Sequence, residues 1–340
     1  MKPSDWPANW TVRPASFDDV DLAVDMFNAR SRKFYGENQS TVDDMLGWWK
    51  SPRFDLARDT CVVLDETGRM IAWSHAVDPG EPYLSLGCAV ITDPDFADRD
   101  DLWDGLYAWA LTHTSRHIEK APEGARVFAV ESAMDEDEAR RSAVERAGFE
   151  MVRVQNTMRI DLDETPPEPE WSEGIDVRAA IVEEELERIV AASREAFRDH
   201  WGFVEEPLEQ ALDDWKSWLS SLGDRRDPSL WFVAHEGDEI AGLGFFSTEI
   251  AGDRTRSYVE TLSVRPAYRK RGIALALLHH SFGELHRRGK TAVELDMDSE
   301  NLTGAPRLYE RAGMRVIRRT INYEKVLRDG QDLTTRKLAA

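Results

Sequence analysis

The stretch Tyr258-Val-Glu-Thr-Leu-Ser-Val-Arg-Pro-Ala-Tyr-Arg-Lys-Arg-Gly-Ile-Ala-Leu-Ala-Leu-Leu278 decides the fold. Its first part, through Val264, reads as a strand, and a turn follows at Pro266. A long apolar-faced helix then runs over Gly272–Arg288. The turn carries Arg269, Lys270, Arg271, Gly272, Ile273 and Ala274. Small residues at 272 and 274 let a ligand approach the backbone closely. The unpaired N–H groups and positive dipole end of a helix start favour a pyrophosphate. Three cations at 269–271 add charge beside it. The pattern predicts a phosphate cradle, yet it has neither a Walker lysine nor G-x-G-x-x-G.

Working outward, the chain looks like one domain written twice. Val12-Arg13-Pro14-Ala15 reappears as Val177-Arg178-Ala179-Ala180, and Glu145-Arg146-Ala147-Gly148-Phe149 as Glu310-Arg311-Ala312-Gly313-Met314, both displaced by 165 positions. Gly68-Arg69-Met70-Ile71-Ala72 matches Gly237-Asp238-Glu239-Ile240-Ala241 between them. Such ordered self-similarity marks repetition. The expected organisation is a first domain over 1–163, a Pro- and acid-rich linker over 164–173, a second domain over 174–328 and a tail over 329–340. Each copy reads as mixed α/β. In the second, strands are expected at Ile175–Ala179, Leu230–His235, Glu239–Glu249, Arg256–Val264, Ala292–Met297 and Val316–Val326. Helices are expected at Val182–Arg198, Glu206–Leu222, Gly272–Arg288 and Gly304–Ala312.

Composition narrows the function classes. The 340 residues hold 43 basic and 64 acidic side chains, a net charge of −21. Such a surface repels nucleic-acid backbones and anionic lipid, so neither nucleic acid nor membrane is expected as a partner. No apolar run is long enough to span a bilayer, and the opening residues lack the apolar core of a signal peptide, so a cytoplasmic location is expected. Two cysteines, Cys61 and Cys88, make neither a disulfide framework nor a thiolate zinc site. His113 and His117 lack a third ligand, and no metal is expected.

With these residues in view, the V-x-P-x-x-R-x-x-G-x-A run resembles the acetyl-CoA motif of the GNAT N-acetyltransferase superfamily. Met297-Asp-Ser-Glu-Asn301 followed by Ala305-Pro-Arg-Leu-Tyr309-Glu-Arg-Ala-Gly313-Met314 resembles that superfamily's next strand and helix. A double chain of this length is similar in architecture to mycothiol synthase-type actinobacterial acetyltransferases. The resemblance implies two tandem α/β domains, each a mostly antiparallel twisted sheet with flanking helices. It implies acetyl-CoA as co-substrate and direct transfer of acetyl to an amine, by a monomer or homodimer. The small-molecule amine acceptor is weighed against a CoA-binding sensor without turnover and against a protein or peptide N-acetyltransferase.

The resemblance also assigns roles. The backbone of Leu262, Ser263 and Val264 would meet the pantetheine arm; Arg269–Ala274 and Asn301 would help hold the cofactor. Tyr309 stands where the family places its thiol-protonating tyrosine. The family's usual base position is held by Tyr258; the nearest carboxylate, Glu260, is the favoured base or water-orienter, since strict alternation puts 258 and 260 on one strand face. Glu249, His235 and Asp296 are other candidates. The loop between the first two helices of the second copy, with His200, Trp201 and Phe203, is the expected acceptor wall. Its aromatics suit an amine, and Glu205 or Glu206 could supply counter-charge.

The first copy reads differently at the cradle. Asp93, Asp95, Asp98, Asp100, Asp101 and Asp104 crowd a twelve-residue run with one Arg. Ala143 and Val144 stand where Leu308 and Tyr309 do in the second copy. This copy is expected to be non-catalytic.

Overall fold

The fold is described from a computed structural model, which describes residues 6–299 and 305–336. In the first copy the chain runs β1 (Thr11–Arg13), α1 (Val20–Tyr35), α2 (Val42–Trp49), α3 (Leu56–Asp59), β2 (Thr60–Leu64), β3 (Met70–Ala76), β4 (Ser85–Thr92), α4 (Asp100–Thr114), β5 (Val127–Met134), α5 (Glu138–Arg146) and β6 (Glu150–Asp161). The second copy repeats the order: β7 (Asp176–Ala179), α6 (Val182–Phe197), α7 (Leu208–Ser221), β8 (Arg226–Glu236), β9 (Glu239–Ser247), β10 (Arg256–Val264), α8 (Ile273–Arg287), β11 (Ala292–Asp298), α9 (Ala305–Arg311) and β12 (Arg315–Arg328). No helix among the described residues is long and apolar enough to cross a membrane.

Two compact units result, but they do not divide at the Pro-rich 164–173 segment. One comprises Met1–Val154 with Arg319–Leu333, the other Gln155–Arg318 with Thr334–Ala340. The copies have exchanged closing strands. In the first unit the strand order is β1-β2-β3-β4-β5-β12, and β12 lies antiparallel on β5, from Thr320↔Met134 to Arg328↔Val127. In the second it is β6-β11-β10-β9-β8-β7, and β6 lies antiparallel on β11, from Ala292↔Asp161 to Asp298↔Gln155. One parallel pair interrupts each otherwise antiparallel sheet: β4 with β5, and β10 with β11.

Burial explains the exchange. On β12, Ile321 and Tyr323 alternate inward and join Trp103, Tyr107 and Phe149 in the first unit's core. On β6, Met158 joins the second core beside Trp231, Phe245, Phe282 and Leu285, and Leu162, just past the strand, joins it too. Trp231 and Phe245 stack there at 5.0 Å. On α8 the buried positions Ile273, Ala276, Leu277, Leu278, Ser281, Phe282 and Leu285 recur at three- and four-residue spacing, so one face of the helix lies on the sheet.

Candidate active site

The second unit's site begins where two strands separate. β10 and β11 pair in parallel only at Arg256↔Ala292, Ser257↔Val293 and Tyr258↔Glu294. Beyond that point β10 stays with β9 as far as Val264↔Gly242, while β11 stays with β6 as far as Asp298↔Gln155. A wedge opens between them, and Leu262, Ser263 and Val264 edge it with backbone that no strand pairs on that side. The splayed strand needs a close neighbour to lean on. A Cβ at Gly242 would lie 2.9 Å from the Ser263 carbonyl oxygen, 3.3 Å from Val264 Cγ2 and 3.4 Å from Ile273 Cγ2. Gly242→Ala is therefore expected to push β10 toward the gap, lowering stability by about 1–3 kcal/mol and weakening acetyl-CoA binding. Thermal melting and calorimetry measure the two effects; unchanged values for both would mean that β10 does not rest on Gly242.

At the end of β10 the chain turns through Lys270, with φ +64°, and Gly272, with φ +81°, into α8. The first N–H groups of a helix have no partner within it, and nothing lies within 4 Å of a Cβ built on Gly272. A strand edge, an open glycine turn and a helix start thus meet. The side chain of Ile273 is buried in the core, so only its backbone faces the turn. Ala274 is half-buried in the first turn of α8. Asn301 lies outside the described residues.

The three cations of the turn do not act together. Arg269 turns away from the helix start: its Nε donates to the Val264 carbonyl oxygen at 3.2 Å, and one Nη donates to the Ala196 carbonyl oxygen at 2.7 Å. The same guanidinium makes a two-bond pair with the Asp199 carboxylate, which holds that carboxyl below its usual range. Arg271 pairs with Glu236 at 2.7 Å. Lys270 is exposed and has no ion-pair partner among the described residues. Sequence gave all three equal weight because it does not show which carboxylates fold beside them.

Glu260 sits at a bulge. Val259 faces Phe246 and Thr261 faces Phe245, so two steps on β10 answer one on β9. The extra residue breaks the alternation on which a shared face for 258 and 260 depended. Burial pushes the Glu260 carboxyl up, opposed by Ser247 and the charge of Arg225. Beside it the Tyr258 hydroxyl donates to Asp296 at 3.1 Å, and Thr157 donates to the other oxygen of that carboxylate at 2.6 Å. Burial and Asp296 push the Tyr258 phenol upward. The other base candidates are engaged elsewhere. Glu249 pairs with Arg254 at 3.1 Å, and His235 Nδ1 lies 3.0 Å from the Gly237 carbonyl oxygen in a hairpin turn. Tyr309, on α9, packs against the same core as Leu262, Val264 and Ile273. Its hydroxyl has no protein partner among the described residues, and burial pushes it up to about 12.

The expected acceptor loop is held from two sides. Arg269 grips Asp199 from the cradle turn. On the other side the Gly202 N–H donates to the Thr335 carbonyl oxygen at 2.7 Å, and the Thr335 N–H to the Phe203 carbonyl oxygen at 2.9 Å. The His200 ring meets Phe197 edge-on at 4.7 Å. Burial pushes its imidazole down, and it feels the charges of Asp199, Arg269 and Asp298. Trp201 does not offer a bare face: the Arg336 guanidinium lies 4.6 Å from its ring centroid.

In the first unit the matching wedge is filled. β4 and β5 pair only from Ser85↔Phe128 to Gly87↔Val130. Past this point the Glu131 carboxylate accepts the Val90 N–H at 3.2 Å and a bond from Arg140 at 2.6 Å. Glu131 and Arg140 are both buried. The Asp-rich loop is pinned by arginines, with Arg69 on Asp93 and Asp95, Arg99 on Asp101, and Arg146 on Asp100 and Asp104. Its helix start carries Arg99 with φ −88°, where the second unit has Gly272. No group of ligands suited to a metal ion is found among the described residues.

A family model described as the acetyltransferase (GNAT) family matches residues 186–314, which contain the wedge, the cradle and Tyr309. A solved GCN5-related N-acetyltransferase from Sphaerobacter thermophilus is 30% identical over 97% of this chain and 99% of its own, with a TM-score of 0.80. The chain belongs to the GNAT family. A tandem GNAT protein from the clavulanic acid biosynthesis pathway shares the fold across 95% of this chain and all of its own, at 13% identity and a TM-score of 0.71. Mycothiol acetyltransferase of Streptomyces scabiei is 30% identical over 181 residues, which cover 52% of this chain. That of Renibacterium salmoninarum is 27% identical over 186 residues. The matched part of this GNAT chain spans about half the length of each of these curated relatives.

Proposed function

We propose that the second unit transfers acetyl from acetyl-CoA directly to the amine of a small molecule, and that the first unit does not turn over. The parting of β10 and β11 after Tyr258 and Glu294, beside the open glycine turn at Gly272, carries this reading. Bound acetyl-CoA would supply an activated thioester carbonyl. The free edge of Leu262–Val264 is suited to hydrogen-bond a pantetheine arm and to give one N–H to a carbonyl oxygen on which negative charge develops. The N–H groups at Arg271, Gly272, Ile273 and Ala274 suit the pyrophosphate, with Lys270 as the available cation.

Glu260 is the group assigned to take the amine's proton, directly or through a water. Burial raises its pKa, the direction that makes a carboxylate a stronger base. Tyr309 is assigned to hydrogen-bond the departing sulfur. The small-molecule acceptor is supported by the likeness to mycothiol acetyltransferases. The lost activity of the first unit is supported by its plugged wedge and its arginine-paired acidic loop.

Calorimetric titration of acetyl-CoA into the intact chain tests this. One site per chain is expected, together with acetyl transfer to members of a small-amine panel. Two sites would overturn the reading of the first unit; binding with no turnover on any amine would favour a sensor.

A further inference from the structure

The last described residues of the chain do not trail away from the second unit. Thr335 exchanges two backbone hydrogen bonds with the acceptor loop, one from Gly202 at 2.7 Å and one to Phe203 at 2.9 Å. Its hydroxyl also donates to the Arg198 carbonyl oxygen, just past the end of α6, at 3.4 Å. This short strap fixes the next residue, and Arg336 lies with its guanidinium carbon 4.6 Å from the Trp201 ring centroid. Trp201 and Arg336 are both half-buried, so their contact is partly shielded from water, where a cation on an indole face is held most strongly.

The same loop is tied at its other end to the cradle turn through Asp199 and Arg269. The loop therefore connects the turn assigned to the cofactor with an indole already carrying a positive charge.

We propose that Trp201 is the subsite for the cationic group of an acceptor amine, and that Arg336 occupies it as an internal stand-in which the acceptor must displace. The inference rests on the reading that the 198–203 loop lines the acceptor side. An indole face selects for a compact organic cation and does not distinguish one ammonium from another. The strap thus works as a filter: only a cation that holds the indole better than a tethered guanidinium gains the site. A neutral molecule or an anion gains nothing on the indole face by displacing Arg336.

The test uses the full chain labelled with 5-fluorotryptophan, with the Trp201 fluorine signal identified by its loss in Trp201→Phe. Tetramethylammonium is titrated as the probe, with sodium at equal ionic strength as the control. In Arg336→Ala the Trp201 signal should respond at a tetramethylammonium concentration about fivefold lower than in the parent chain. Arg336→Lys should restore the parent behaviour. Equal response in the parent and the Ala variant, or no response of Trp201 in either, would overturn the proposal. Acetyl-CoA calorimetry on the same samples judges the transferase reading separately: its failure would remove that reading while the Trp201 signal still decides the cation subsite.

Discussion

Gly272→Glu is expected to abolish measurable acetyl-CoA binding, weakening it by at least about 100-fold. Two costs add. The residue sits at φ +81°, a region that costs an L-residue about 1–2 kcal/mol. The new carboxylate would also stand where phosphate oxygens are expected, and of the three nearby cations only Lys270 is not already matched by a carboxylate. Each 1.4 kcal/mol is a factor of ten in affinity; the strain counts against binding where the empty turn relaxes and acetyl-CoA must restore its shape, and the repulsion adds to it. Space is not the obstacle, because nothing lies within 4 Å of the added Cβ. Gly272→Ala should therefore lose only about tenfold. Calorimetry with both variants, with melting curves as a control for folding, separates the terms. Unchanged affinity in Gly272→Glu would place the pyrophosphate elsewhere.

Tyr309→Phe is expected to lower kcat by about 100-fold while the Kd for acetyl-CoA stays nearly constant. Burial pushes the phenol up to about 12, whereas an ordinary thiol titrates near 8.5. Complete proton transfer from Tyr309 to a thiolate is then uphill by roughly 3.5 pH units. The group is better suited to a hydrogen bond that strengthens as charge gathers on sulfur, with the proton reaching the thiolate late or from solvent. A phenol held this high stays protonated through the whole neutral range, so it sets no alkaline limb below about pH 12. If Glu260 is the base, as proposed, the acid limb follows its carboxyl, which burial raises from its ordinary value. Activity should rise with pH as that carboxyl ionises, and Tyr309→Phe should scale the profile down without moving this limb. An undiminished kcat would reduce Tyr309 to a packing residue.

The second copy was readable in sequence because its elements follow simple periods. The strand expected at Arg256–Val264 is observed at those residues, and the helix expected at Gly272–Arg288 spans Ile273–Arg287. What escaped were relations between distant residues. Nothing in the alternation of Val316–Val326 names the strand it pairs with, so the exchange of β6 and β12 was not visible. A bulge inserts one residue without changing composition, so the register shift between Val259 and Thr261 leaves no mark in the sequence. Arg269 reads as a ligand cation until Asp199, seventy positions earlier, folds against it. One missed signal was available: Gly242-Leu-Gly244 lies inside a strand, where glycine commonly marks a close approach of another backbone. The 329–340 segment read as a tail because two residues, Thr335 and Arg336, that grip a loop leave no periodic trace.

The exchanged strands also govern how the chain can come into being. While it is being made, β1 to β5 emerge early, yet the strand that covers the free edge of β5 ends at Arg328. Until synthesis has passed Arg328, the first unit carries a bare sheet edge and a core without Ile321 and Tyr323. An uncovered edge of this kind is an invitation to pair with other chains. The two copies consequently mature together, and cutting the gene at the proline-rich seam would give two incomplete products, each lacking the strand that the other half carries.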